Sequence, residues 1–144
     1  MNQPATPAVH AVRGTLVDFL DDPQVAGSAA LRHIADGLLV IRDGMIERVG
    51  PAGQLLAQLP PGTPVSDRRG AILMPGFVDA HIHYPQTDVI ASHGKQLMDW
   101  LNIYTFPAEG RFDDIDHARR VAGFFLDELL RNGTTTAAVY ATVH

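Results

Sequence analysis

The chain has 144 residues, 46% hydrophobic and 19% charged, with 11 Lys and Arg against 16 Asp and Glu, a net charge of −5, and no cysteine. This is the composition of a folded globular chain rather than a disordered, collagenous or membrane one, and the lack of cysteine excludes a disulfide scaffold, a thiolate metal site, a cysteine nucleophile and an iron–sulfur cluster. No basic block is present to neutralise phosphates, which argues against nucleic acid; no signal-peptide pattern or apolar run near about 18 residues is present, so a cytoplasmic protein without a membrane partner is expected.

In chain order, residues 1–10 carry two prolines and read as a mobile arm. Ala11 to Leu20 is rich in β-branched and aromatic residues and predicts a strand, broken by Asp21-Asp22-Pro23. Between Gly37 and Gly50 two apolar stretches flank Arg42-Asp43-Gly44, and the Asp-Gly pair supplies the positive φ of a tight hairpin turn. Pro51 to Leu59 predicts a short helix, ended by Pro60-Pro61-Gly62. Up to about Arg69 the expectation is a small antiparallel β unit.

From Gly70 the pattern changes. AILMPGFVDAHIH does not alternate, and it suits one strand buried on both faces. Gln96 to Tyr104 and Asp114 to Asn132 read as helices. In the second, Ala118, Val121, Ala122, Phe125, Leu129 and Leu130 make an apolar face, Asp113 is the expected N-cap and Asn132-Gly133 the stop. Thr134 to Val143 is again a buried type of strand, so a βαβ unit follows a β-rich prelude. There is no internal repeat, and His93 to Gln96 lacks the rest of a phosphate-binding loop.

Lacking cysteine, the chain can hold a metal only with His, Asp or Glu. His81-Ile82-His83 closes the apolar run, and residues i and i+2 of a strand share a face, so both imidazoles can reach one point. Seven histidines scattered over 144 positions give a His-x-His by chance roughly a third of the time, and the pair alone leaves metal binding and a structural role level. Its place at a strand end, with Asp79 just before it, favours a site: buried imidazoles without partners are costly, and active sites of parallel barrels lie where the strands end.

Met74 to His83 (MPGFVDAHIH) resembles the first-strand signature of the amidohydrolase superfamily. HIHYPQ (His81 to Gln86), LMDWLNIYTFPAEGRF (Leu97 to Phe112) and RNGTTTAAVYATVH (Arg131 to His144) narrow the resemblance to its guanine deaminases. The resemblance implies a metal-dependent (β/α)8 TIM barrel, begun by residues 71–144, preceded by a small β-sandwich-type domain begun by residues 1–70. It implies hydrolytic deamination of guanine to xanthine and ammonia, one Zn2+ per chain held by His81 and His83, and a homodimer.

For the substrate it implies contacts from Gln86, His83, Tyr84 and Pro85. A side-chain amide offers both donor and acceptor to a purine, although a solvent-facing loop glutamine is the alternative. Asp79 would orient the metal site or simply anchor the strand end. Trp100 would wall the pocket or belong to the core. Glu109 and Arg111 read as surface charges, and His10, His33, His93, His117 and His144 as surface or packing residues.

A (β/α)8 barrel needs about 250 residues and a catalytic zinc at least three protein ligands. The expectation is therefore an amino-terminal segment, inactive if limited to 144 residues, whose other ligands and proton-shuttling Glu lie elsewhere. Two alternatives stay open: an amidohydrolase acting on a pyrimidine or triazine as aminohydrolase or chlorohydrolase, and a non-catalytic fragment.

Overall fold

The computed structural model describes residues 8–94 and 96–144, so residues 1–7 of the expected arm lie outside the described residues. The chain divides into two compact units, one up to Pro75 and one from Gly76 to His144.

In the first unit β1 (Val9–Phe19) pairs antiparallel with β2 (Leu31–Arg42), and β2 with β3 (Met45–Pro51). The turn between β2 and β3 is the expected one: Asp43 and Gly44 have φ of 51° and 80°, the backbone that a tight hairpin demands. A fourth strand, β4 (Val65–Leu73), pairs parallel with β1, giving the order β3-β2-β1-β4. The sheet is thus mixed, where an antiparallel unit was expected. The segment 52–64 between β3 and β4 carries the chain over the sheet and delivers β4 beside β1 in the parallel sense.

Asp22 caps α1 (Pro23–Ala26) by accepting from Gln24 N–H at 2.8 Å. α2 (Ala52–Leu55) and the tight turn after it lie on one sheet face, where Ala11, Leu38, Val40 and Ala52 are fully buried and Val9, Leu55, Leu56 and Leu59 pack against them. On the other face Val12, Leu39, Ile46, Val49 and Ile72 line an open apolar hollow of about 370 Å³. The β-sandwich expected here is not shown, since the described residues of this unit form one sheet with a helix over it.

The second unit holds β5 (Phe77–His83) and β6 (Thr134–Tyr140), parallel neighbours joined through helices, which is the expected βαβ unit. The single strand anticipated from Gly70 to His83 is in fact two strands in two sheets, parted at Met74-Pro75-Gly76. Proline has no N–H for a ladder, and Gly76 lies so close to β6 that a Cβ there would sit 2.7 Å from Thr135 Cβ. Nor is β5 buried on both faces, because Val78 is 70% exposed and Phe77 56%. Thr134 to Val143 likewise shortens, β6 ending at Tyr140.

α3 (Leu97–Trp100) runs through a wider π turn, Leu101–Thr105, into α4 (Phe106–Gly110). The helix expected to stop at Tyr104 therefore continues. Pro107 supplies no N–H and its ring crowds the carbonyl one turn back, which the wider turn just before it relieves.

α5 (Ile115–Arg131) is capped by Asp114, which accepts from Asp116 N–H at 2.9 Å, so the N-cap is Asp114 rather than Asp113. Backbone N–H groups of Asp116 and His117 hold the Asp114 carboxyl below its ordinary range. Gly133 has φ of 83° just past Asn132 and ends the helix as anticipated. Its buried face carries His117, Val121 and Phe125, whereas Leu130, counted above with the apolar face, is exposed.

Candidate active site

The site is built at the carboxyl end of β5. Between Asp79 and Ile82 the pairing with β6 slips by one residue, a bulge that includes His81. At this irregularity Asp79 Oδ1 accepts the His81 N–H at 3.0 Å, so a carboxylate anchors the strand backbone where the ladder is broken. His81 and His83 share a face and their Nε2 atoms come within 3.1 Å of each other.

That separation tests whether the pair suits a metal. Two Zn–N bonds of about 2.05 Å at a tetrahedral angle would put their nitrogens about 3.3 Å apart. The observed distance fits two imidazoles sharing one cation. They make half a tetrahedral shell: among the described residues no group of three or more His, Asp or Glu side chains is arranged to hold a metal.

β6 adds a residue that the sequence reading did not single out. Tyr140 is the register partner of His83 and stacks on its ring at 4.8 Å and 13°, with the His81 ring 4.6 Å away. The signal was available, because parallel strands of one βαβ unit end side by side and Tyr140 ends the second.

Beyond β5 a turn of 3-10 helix, Tyr84–Val89, directs Gln86 back toward the pair. Gln86 Nε2 lies 3.2 Å from His83 Nδ1 and donates to Glu109 Oε1 at 3.1 Å. Glu109, expected to be a surface charge, is half-buried and tied to this cluster. Two positions further on Arg111 donates to Asp88 at 2.9 Å, so the two segments are joined twice at the same sequence separation.

His81, His83, Gln86, Trp100, Phe124 and Phe125 line an open cavity of about 680 Å³. Tyr84 packs edge-on against Phe112 at 5.2 Å and near Phe125 at 5.9 Å, and Pro85 is fully buried. Of the singled-out residues, His81, His83, Gln86 and Trp100 thus meet at one cavity, Asp79 holds the strand beneath it, and Tyr84 and Pro85 pack into the unit.

Residues 72–144 match the amidohydrolase family. The chain belongs to that family. This amidohydrolase chain is 48% identical over 137 residues to the guanine deaminase of Escherichia coli (strain K12), a match covering 93% of the chain and 31% of that protein. Among solved structures, guanine deaminase from Bradyrhizobium japonicum superposes with a TM-score of 0.85 at 40% identity, over 93% of this chain and 29% of that one. Guanine deaminase from C. acetobutylicum, solved with guanine bound in its active site, gives 0.76 at 33% identity over 94% and 30%. The amidohydrolase chain thus spans about a third of the length of the relatives it matches.

Proposed function

We propose that this sequence belongs to a zinc-dependent guanine deaminase that converts guanine and water to xanthine and ammonia. One observation carries the reading: in an amidohydrolase chain, His81 and His83 converge at 3.1 Å with the Gln86 amide beside them, at the mouth of a cavity of about 680 Å³. Guanine as substrate is supported by the relatives, one of which holds guanine in its active site. In this reading β5 and β6 are the first two strands of a (β/α)8 barrel, whose sites lie at the carboxyl ends of the strands.

His81 and His83 would hold the zinc through Nε2, and further ligands would come from outside the residues described above. Zinc, when bound, supplies the Lewis acidity that makes water nucleophilic near neutral pH. This chain's own residues prepare the ground for that chemistry. Asp79 fixes the backbone of His81, Tyr140 covers the two imidazoles from β6, and Gln86 hydrogen-bonds the purine. Trp100 and Phe124 give apolar wall to a flat heterocycle, whose transfer from water they favour.

The test is turnover by the full-length purified protein offered guanine, a pyrimidine and a triazine separately. Xanthine and ammonia in equal amounts from guanine are expected. Turnover of the pyrimidine or triazine with none of guanine would reassign the substrate.

A further inference from the structure

We propose that Glu109 is a positioning residue that decides which end of the Gln86 amide the cavity presents to its ligand. The ligand assignment rests on the guanine reading; the orientation itself rests on geometry. A primary amide has two ends of nearly equal size, an oxygen that accepts and an NH2 that donates, and nothing in its own shape selects one. An ionised carboxylate only accepts. Gln86 Nε2 lies 3.1 Å from Glu109 Oε1 and 3.2 Å from His83 Nδ1; an Nδ1 that carries its proton, as it would with zinc on Nε2, draws the amide oxygen instead, so the carboxylate is the group that holds the NH2 end inward and leaves Oε1 as the free end.

The backbone on either side is held independently. Arg111 bonds Asp88 at 2.9 Å, and Thr87 Oγ1 donates to the Tyr84 carbonyl at 2.6 Å within the same turn. Glu109 is therefore not needed to place Gln86 in the cavity wall, and its effect falls on the orientation of the side chain. A wall that offers an acceptor there selects a ligand edge bearing a donor, a ring N–H or an amino group. Guanine carries such an edge. A heterocycle presenting only acceptors would leave Gln86 Oε1 unpaired and would be rejected.

The experiment compares E109A, E109Q, Q86A and the E109A/Q86A double variant of the full-length zinc-loaded protein, reading kcat and KM for guanine, zinc content and the side-chain 15N–1H resonances of Gln86. E109A is expected to lower kcat/KM about tenfold, chiefly through KM, at unchanged zinc content. E109Q should lose less, since its own amide oxygen accepts from Gln86. The double variant should be no worse than Q86A, because Glu109 acts through Gln86. In the parent, one Gln86 amide proton should be shifted and slow to exchange, and in E109A it should move to the position of a solvated glutamine.

Additive losses in the double variant, parental kinetics in E109A, or an E109Q loss as large as that of E109A would overturn the proposal. Should E109A not fold, E109Q and the amide resonance decide it. A parent inert toward guanine would refute the functional reading instead, and the amide resonance, unmoved or moved in E109A, would still decide the role of Glu109.

Discussion

At the scale of single residues, the two imidazoles differ in what steadies them. His81 is fixed through its backbone, which Asp79 holds, while His83 is fixed through its ring, stacked on Tyr140 and beside Gln86. His81→Ala and His83→Ala in the full-length protein should each lose bound zinc and nearly all guanine turnover while the fold persists, because neither imidazole belongs to the buried core of the unit, whose large apolar side chains are Phe112, Val121 and Phe125. Metal analysis beside thermal unfolding checks this, and stoichiometric zinc with normal turnover in either variant contradicts it. Gln86→Ala should keep its zinc and lose about 0.5 to 1.5 kcal/mol in kcat/KM, the worth of a neutral hydrogen bond. Kinetics equal to the parent would return Gln86 to the loop surface.

In the first unit a carboxyl group predicts a pH response. Hydrogen bonds from the Arg69 guanidinium and backbone hold Asp67 down to about 2. The folded carboxylate keeps its charge to lower pH than the unfolded one, so the stabilisation is complete above an unfolded value of about 4 and vanishes as pH falls to about 2. Asp67→Asn should flatten this part of the acid-unfolding curve followed by circular dichroism, and an unchanged curve would show that the pair contributes nothing to folding. His81 and His83 were legible in the sequence because their pattern is local. Glu109 was not, since its partner Gln86 is 23 residues away and only the fold brings them together.

Elements tell the same story over longer stretches. The β2–β3 turn and the end of α5 followed from Asp43-Gly44 and Asn132-Gly133, where a positive φ leaves few residue types. The start of α5 offered two adjacent aspartates, and only side-chain geometry chooses Asp114. Asp114→Ala should lower the thermal midpoint by about 4 °C and Asp113→Ala should leave it nearly unchanged; equal losses would contradict the assignment.

His117 shows why a face read from apolar residues alone is incomplete. It is 6% exposed, edge-on to Phe112 at 4.8 Å, with Arg111 3.4 Å from its Nδ1. The split of the run from Gly70 was hidden for a different reason: composition is apolar on both sides of Met74-Pro75-Gly76, and the boundary depends on which sheet each half joins. At that boundary Gly76→Ala should destabilise the second unit by about 1 to 3 kcal/mol, because the new Cβ would meet all of the short, β-branched Thr135 side chain, Oγ1, Cγ2 and Cβ, which no single rotation moves out of the way. A denaturation midpoint equal to the parent's would show that β6 yields easily there.

At the scale of the whole molecule, the amidohydrolase family was legible from a contiguous signature at β5, while the mixed character of the first sheet was not, because parallel pairing of β1 with β4 joins residues more than 50 positions apart. Ile72 in the first unit, and Phe77, Val78 and Tyr140 in the second, are exposed, and a sheet of two strands leaves edges open to other chains. Residues 1–144 produced alone should therefore associate in solution and turn over no guanine, as size-exclusion chromatography and ammonia release would record; a monomer with activity would contradict the need for further ligands.

If His81 and His83 hold a metal on which guanine deamination depends, activity must follow zinc. The decisive measurement is ammonia release from guanine by the full-length protein, first stripped with a chelator and then titrated with zinc. No activity is expected without zinc, with a rise that levels off at about one zinc per chain. Full turnover in the zinc-free protein, or saturation with zinc and no ammonia from guanine, would refute the role of the pair.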